Sequence, residues 1–576
     1  MTRITWLRIG FGVAFCVVGV RLFDVQIVRH EEYVAKASEA HVKKFVLPAR
    51  RGMIYMMDGE NPVPVVMNEG VYTIFVDPKM VGDRMRAVEK VIDAVVPEEK
   101  RVGSWKEAWS DPENQYYVVG RGLTRREAEK IKGEELAGVG FSEDVKRVYP
   151  RGMLAAQTLG FVNAEGQGQY GVEGTFDDDL SGTDGLLQTV TDVNSVPLTI
   201  GDENVKMAAK NGKDVVLSID SNIQLEVEKA LARGIERTGG EYASAVVMNP
   251  NSGRVLAMAN LPTYDPGNYG EVKDASVYQN AALVAAYEPA SVCKTFTFAM
   301  AVDKGVLSPE DIYNNAGSVT IGGHKINNAN KAHLGEISFQ EAMNFSLNTG
   351  SVEALRRADG ASNFISRKAQ DTLYEYFHNR FGLGEKTGLG LYEEQGQVIS
   401  PGVAEGSGAE IRYANMTFGQ GLTVTMLQIA SAYSAIMNGG EYYQPTVVAG
   451  EMENGKFVAA EEKGPVRRVV SESTSAVMRK MLVDARNRAD LPKLDPAGYT
   501  MGAKSGTAET LRDGKYVMDT TIATYAGFGG GELPEYVIVV RIGGEGKNLD
   551  GYMHAGPIWT EISNYLVGYL KVMPGQ

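Results

Sequence analysis

The sequence predicts an α+β protein with one apolar N-terminal helix, an irregular α+β region, and a C-terminal region whose sheet is closed by distant segments. Three observations carry this expectation. An uncharged stretch, Ile9 to Val20, lies near the start of the chain. Between residue 50 and about 210, alternating segments such as VYTIFVDP are mixed with charged helical ones such as LTRREAEKIKGEEL, punctuated by glycine-rich turns. From Asp214 onward, strand-like runs stand at both ends of a long helical stretch, the pattern of a sheet whose strands come from far apart in the chain.

The N-terminal stretch reads IGFGVAFCVVGV, bracketed by Arg8 and Arg21. As a helix it rises about 18 Å, short of a hydrocarbon core of about 30 Å. Extension from Ile4 to Val28 gives about 37 Å and takes in Arg8, Arg21 and Asp24. Arginines near helix ends reach the headgroups, and Asp24 stands one turn from Arg21, so a span is tolerable. The rival is a cleaved signal peptide. An A-x-A pattern occurs at Ala35-Lys36-Ala37, well downstream of where cleavage follows an apolar core, so an uncleaved anchor is the reading taken. Basic residues flank both sides (Arg3 and Arg8; Arg29, Lys43 and Lys44), so charge alone leaves the orientation open; an N-terminus kept inside exports the rest.

Glu31 to Ala49 reads as a polar amphipathic helix or an extended stalk. In the C-terminal region, VVLSID reads as a strand and ASAVVMNPNSGRVLAMA as a hairpin turning at Pro250-Asn251-Ser252-Gly253. NIQLEVEKALARGIERT is a helix with apolar Ile223, Val227, Leu231 and Ile235 spaced by four. Residues 291 to 490 read as predominantly helical. TIATYAGFGG and PEYVIVVRIGG return to strands before a closing helix in PIWTEISNYLVGYL.

A chain of 576 residues exceeds one hydrophobic core, so two or three globular units are expected beside the anchor. The net charge of −14 argues against nucleic acid as a partner. The two cysteines, Cys16 and Cys293, are not expected to pair, and the six histidines are scattered without metal-ligand spacing, so no metal site is argued.

Three motifs carry chemistry. Ser291-Val292-Cys293-Lys294 puts Ser291 and Lys294 at i and i+3, on one helix face. A serine hydroxyl needs a base, and an amine one turn away serves if burial and neighbouring charge lower its pKa. Ser346-Leu347-Asn348 offers a hydroxyl to relay a proton and an amide to hold a substrate amide. Lys504-Ser505-Gly506-Thr507 offers a positive charge, hydroxyl donors and a backbone open to close approach. Alone, each fits an ordinary surface segment, since S-x-x-K arises by chance in most long chains. Their value lies in co-occurrence and order: S-x-x-K, S-D-N and K-T-G together form the signature of class A β-lactamases and penicillin-binding proteins, and the chain reads S-V-C-K, S-L-N and K-S-G in that order, with Ser505 keeping the hydroxyl of the common threonine.

On these motifs the chain resembles the class B penicillin-binding proteins, the monofunctional D,D-transpeptidases, over essentially its whole length. Arg51-Gly52-Met53-Ile54-Tyr55 with Gly59 resembles the family's opening R-G-x-I-x-D-R-x-G motif, with Met56 and Met57 in place of its aspartate and second arginine. KRVYP, GQYGVEGTFDDDLSGTDG, FGQGLTVTMLQIASAYSAIMNGG and AGPIW resemble later segments, and YEP at 287–289 resembles the division-type, septal branch. Ala290 stands where the family commonly has glycine, and is tolerated only if its φ is negative. Cys293 is expected to be a small buried hydrophobe.

The resemblance implies residues 1–30 as cytoplasmic tip and transmembrane anchor, 31–210 as a non-catalytic pedestal or dimerisation-like domain, and 211–576 as a transpeptidase domain with a central antiparallel sheet flanked by helices. It implies Ser291 as nucleophile, Lys294 as general base, Ser346 as proton relay, Asn348 as holder of the donor amide and Lys504 as electrostatic support. Ser505, Gly506 and Thr507 would bind the substrate's terminal carboxylate, with backbone N–H groups of Ser291 and Thr507 as the oxyanion hole. It implies no cofactor. The implied partners are peptidoglycan stem peptides, β-lactams, and a SEDS-type glycosyltransferase with other division membrane proteins; the chain would sit in the cytoplasmic membrane as a single-pass protein, N-terminus inside.

The competing readings are an elongation-type transpeptidase, a D,D-carboxypeptidase or β-lactamase, and a non-enzymatic β-lactam sensor or divisome scaffold. No class A deacylating glutamate loop can be placed, and a hydrolase does not need the long pedestal. A sensor would be expected to carry several spans and a cytoplasmic signalling region.

Overall fold

A computed structural model describes residues 2–33, 42–111, 114–190, 205–329, 333–360, 364–403, 407–487, 495–512 and 515–575. The chain packs as two units, Met1–Gly52 with Asp178–Lys213, and Met53–Asp177 with Asp214–Gln576. The stretch 53–177, expected within the pedestal, therefore packs in the same unit as 214–576.

In the first unit the helix Arg3–Phe23 continues through a wider helical turn, Asp24–Val28. Together they form one run, Arg3–Val28, long and apolar enough to cross a membrane, with a mean hydropathy of 1.9. Arg21 pairs with Asp24 at 2.8 Å and Arg29 pairs with the same carboxylate, so the acidic charge inside the run is compensated locally. Val42–Leu47, Gly185–Val190 and Val205–Met207 form a three-stranded antiparallel sheet in that order. Part of the expected stalk is thus a strand, and the Ala35–Ala37 pattern lies outside the described residues.

The second unit is built on two sheets. One has seven strands: Lys456–Ala459, Val448–Glu453, Asp214–Asp220, Ile54–Asp58, Asn61–Val76 and Tyr117–Leu123 follow in order, and Val139–Val148 also pairs with Asn61–Val76. Its 54–58 and 214–220 strands run parallel, so the strand read from VVLSID joins this sheet rather than the other. The second sheet is the five-stranded antiparallel one, ordered Val255–Leu261, Tyr242–Met248, Pro534–Gly543, Lys515–Gly530, Thr500–Arg512. As expected, it is closed by segments more than 200 residues apart.

The sheet's two faces follow from period-two alternation. On one face Ala245, Val247, Tyr525, Ile538 and Val540 pack against the helices Ser221–Thr238 and Gly556–Tyr569 through Ile223, Val227, Leu231, Trp559 and Leu566. Three of the four apolar positions read at a spacing of four are buried, and Ile235 is partly so. Asp220 starts the first helix by accepting from the N–H groups of Asn222 and Ile223, and left-handed Gly239 ends it. The opposite face is covered by helices Met426–Met437 and Glu472–Asn487, and Lys294–Asp303 packs against the latter. Met426–Met437 is buried on all sides, which explains its apolar sequence without a polar stripe.

The stretch 291–490 departs from the helical expectation. Besides helices it contains four short strand pairs: 312–315 with 335–338, 318–321 with 324–327, 441–442 with 467–468, and 448–453 with 456–459. The last turns on Asn454-Gly455, both at positive φ (51° and 77°), the Asn-Gly turn whose twist matches paired strands.

Candidate active site

Ser291 lies in a single tight turn, Ala290–Cys293, that runs directly into the helix Lys294–Asp303. One turn apart on the same face, Lys294 Nζ lies 2.9 Å from Ser291 Oγ. The same nitrogen donates to the Ser346 carbonyl at 2.6 Å and contacts Ser346 Oγ at 3.1 Å. Ser346 falls between helices Phe339–Asn344 and Asn348–Arg357 and takes a left-handed φ of 56°, a turn that sends its carbonyl and hydroxyl to one amine. The first helix is anchored by a capping box, Ser338 with Glu341. Asn348 opens the second helix and donates to the Asn327 carbonyl at 2.9 Å.

Lys294 is wholly buried. Burial, and then the nearby charge of Lys504, hold its amine well below the usual lysine range. A neutral amine has two N–H donors for Ser346 and a lone pair for the Ser291 hydroxyl proton, which is the state a general base needs. Lys504 is itself buried, which lowers it to about 8 against the opposing pull of the Asp550 carboxylate. Burial thus favours the neutral form of the Lys294 amine, while Lys504, at about 8, keeps its proton at neutral pH.

Lys504, Ser505, Gly506 and Thr507 lie on the edge strand Thr500–Arg512, with Lys504 and Gly506 on the face toward Ser291 and the two hydroxyl residues on the other. Gly506 has a steric reason to be glycine. A Cβ there would stand 2.7 Å from the Pro289 carbonyl oxygen and 3.4 Å from Ser291 N, so its absence lets the strand seat against the turn. The Thr507 hydroxyl donates to Asp550 at 3.1 Å and accepts from Gly551 N at 3.0 Å. To receive a substrate carboxylate it must change partner. Asp550 was not foreseen as part of the site, and its segment, NLDGYMHAG, carries no recognisable pattern.

The structure thus gathers Ser291, Lys294 and Ser346 within hydrogen-bond reach, sets Lys504 and Gly506 beside them, and leaves Asn348 bonded to Asn327. Cys293 is buried and its thiol is pushed up by burial, so it behaves as core. Ala290 overturns an expectation: its φ is +50°, not negative. Ala290 N donates to the Gly419 carbonyl at 3.1 Å, and this bond with the packing around it holds the left-handed turn despite the Cβ.

A serine and a buried lysine at the edge of an antiparallel sheet, with a second serine on the same amine, define the class of serine acyl-transfer enzymes. The profile of the penicillin-binding protein transpeptidase domain matches residues 243–564, more than half of the chain, and that of the penicillin-binding protein dimerisation domain matches residues 46–217. The chain belongs to the penicillin-binding protein transpeptidase family and is a peptidoglycan D,D-transpeptidase. It is 29% identical to stage V sporulation protein D of Bacillus subtilis over 570 residues, 98% of this chain and 85% of that protein. It is 28% identical to the peptidoglycan D,D-transpeptidase FtsI of Escherichia coli over 568 residues, 96% and 89% respectively. Penicillin-binding protein 3 of Mycobacterium tuberculosis, solved with aztreonam, superimposes with a TM-score of 0.67 at 25% identity, covering 92% of this chain and 98% of that one.

Proposed function

We propose that this transpeptidase cross-links stem peptides at the division septum through an acyl-enzyme on Ser291, and that β-lactams acylate the same hydroxyl. One observation carries the assignment: a buried Lys294 amine, held well below the usual lysine range by that burial, 2.9 Å from Ser291 Oγ. Ser291 Oγ attacks the penultimate D-Ala carbonyl carbon of a donor peptide as its proton passes to Lys294 Nζ. The carbon–nitrogen bond to the terminal D-Ala then breaks, and the proton leaves with that amine by way of Ser346. An acceptor amine attacks the ester, its proton returns to Ser291, and a new amide remains. Asn348 holds the donor amide. Lys504 supports the site electrostatically, Ser505, Gly506 and Thr507 receive the terminal carboxylate, and the backbone N–H groups of Ser291 and Thr507 stabilise the oxyanion, each worth about 3 kcal/mol in the transition state.

The apolar run Arg3–Val28 anchors the chain in the cytoplasmic membrane with its N-terminus inside. Residues 31–210 act as the pedestal that docks a SEDS-type glycosyltransferase and other division proteins. The septal role draws on Tyr287-Glu288-Pro289 and on the similarity to FtsI. Labelling of membranes with a fluorescent penicillin tests the nucleophile. A persistent covalent band lost in folded Ser291→Ala supports it; an equal band in the variant refutes it. Depletion tests the septal role, with filaments supporting it and rounded cells pointing to elongation.

A further inference from the structure

The face of the five-stranded sheet turned toward Ser291 carries one polar row. Read across the register, Gly506 stands beside Thr524, Thr524 beside Arg541, Arg541 beside Ser244 and Ser244 beside Asn260. Four of these are buried polar side chains in a sheet whose other rows are largely apolar, and Arg541 is only 4% exposed. Among the described residues no carboxylate pairs with its guanidinium, and its Nε has no hydrogen-bond partner. An unpaired buried cation is expensive, so stability does not explain it.

What the row touches is the segment leading into Ser291. Asn260 Oδ1 accepts from Ala282 N at 3.1 Å, and Asn260 Nδ2 donates to Asn280 at 2.9 Å. Arg541 Nη1 donates to the Ala285 carbonyl at 3.0 Å, and its guanidinium carbon lies 5.0 Å from the Tyr287 ring centre and 5.6 Å from that of Tyr242. Thr524 donates to the Tyr287 hydroxyl at 3.2 Å. The far side of the segment is held too: Tyr287 exchanges backbone bonds with Val424, and Ala290 N bonds Gly419. Between the short helix Ala281–Val284 and the turn at Ser291, the chain is thus gripped from both sides and ends in a residue at φ +50°. A backbone held in that region persists only when its surroundings over-determine it.

We propose that Arg541 is a positioning residue for acylation, which through Ala285 and Tyr287 holds the approach to the Ser291 turn in its reactive geometry. The proposal rests on Ser291 being the nucleophile. Arg541 touches no reacting atom, so its removal lowers the rate of the chemical step and leaves ligand binding alone.

The test is stopped-flow acylation of the full-length, detergent-solubilised protein by a fluorescent penicillin, resolving the dissociation constant from the acylation rate constant, with thermal melting alongside. Arg541→Met replaces an unpaired charge with an apolar side chain of similar length. Expected are an unchanged or raised melting temperature, an unchanged dissociation constant, and an acylation rate constant lower by on the order of 10-fold or more. Arg541→Lys, which keeps the charge but loses the planar stacking, is expected between the two. A wild-type acylation rate in Arg541→Met overturns the proposal, as does a displaced pH midpoint, which would make the role electrostatic. Should Arg541→Met not fold, Thr524→Val decides: a slower acylation at unchanged affinity supports the row's role, and a wild-type rate overturns it. Labelled wild type with unlabelled Ser291→Ala separates this question from the underlying assignment, since an unlabelled wild type sinks both.

Discussion

Replacing Gly506 by alanine adds one methyl group where the edge strand meets the turn that carries Ser291. The new Cβ would stand 2.7 Å from the Pro289 carbonyl oxygen, 3.3 Å from Val292 N and 3.4 Å from Ser291 N. All three obstacles are backbone, so no flexible side chain can swing aside. Restoring ordinary contact requires the strand and turn to part by about 0.7 Å. Gly506 is not held at positive φ, so alanine meets no backbone strain and the effect is steric alone. Overpacking of this kind costs about 1–3 kcal/mol, part of it offset by alanine's smaller entropy loss in a strand. The kinetic effect is larger, because a displacement of about 1 Å between reacting groups costs about 100-fold. Gly506→Ala is therefore expected to lose on the order of 10- to 100-fold in acylation rate while remaining folded. The assay is the second-order rate of labelling by a fluorescent penicillin, with melting measured on the same preparation. Gly568→Ala serves as the control, since a Cβ there meets nothing within 4 Å. Wild-type labelling by Gly506→Ala would refute the close seating of strand on turn.

Four further outcomes are expected. The acylation rate should fall as pH rises through about 8, where Lys504 loses its proton, and should fall at acid pH where Lys294 gains one; in Lys504→Arg the alkaline limb disappears while the acid limb remains. Both lysines sit below their unfolded values, so the unfolded chain binds more protons between the two values and stability rises with pH there; Lys504→Met should remove the part between about pH 8 and 10, read by chemical denaturation. Ala290→Gly should relieve a left-handed penalty of about 1–2 kcal/mol, less the extra flexibility of an unfolded glycine, for a net gain of about 0.5 kcal/mol at unchanged acylation, measured by melting. Glu173→Ala breaks a fully buried pair with Arg147 at 2.7 Å and should destabilise by about 3–5 kcal/mol; Arg147→Met with Glu173→Leu should lose less, and an equal loss would refute the desolvation argument.

Local pattern made several elements readable. The spacing of Ile223, Val227 and Leu231 marked a helix because one stripe faces a sheet, and the hairpin at 242–261 was visible from alternation and its Asn-Ser-Gly turn. The 448–459 hairpin was missed although Asn454-Gly455 signals it, because the surrounding helical sequence set the reading of the whole stretch. The negative φ expected of Ala290 failed for a different reason: a Cβ sets only a local preference, and the bond to Gly419, 129 residues away, outweighs it.

The sequence by itself determined the order of the three motifs, the i, i+3 pairing of Ser291 with Lys294, the apolar run at the N-terminus and the presence of a sheet closed from both ends. These are properties of neighbours along the chain, where covalent geometry sets distances. Only the tertiary structure decided that Ser346 offers both its carbonyl and its hydroxyl to Lys294, that Gly506 is a steric necessity, and that Thr507 is engaged by Asp550. It also placed the Arg541 guanidinium on the Ala285 carbonyl and beside the Tyr287 ring, in the segment that leads to Ser291. Each of these depends on groups more than 40 residues apart, and on how far burial shifts the free energy of a charge, which no spacing along the chain encodes.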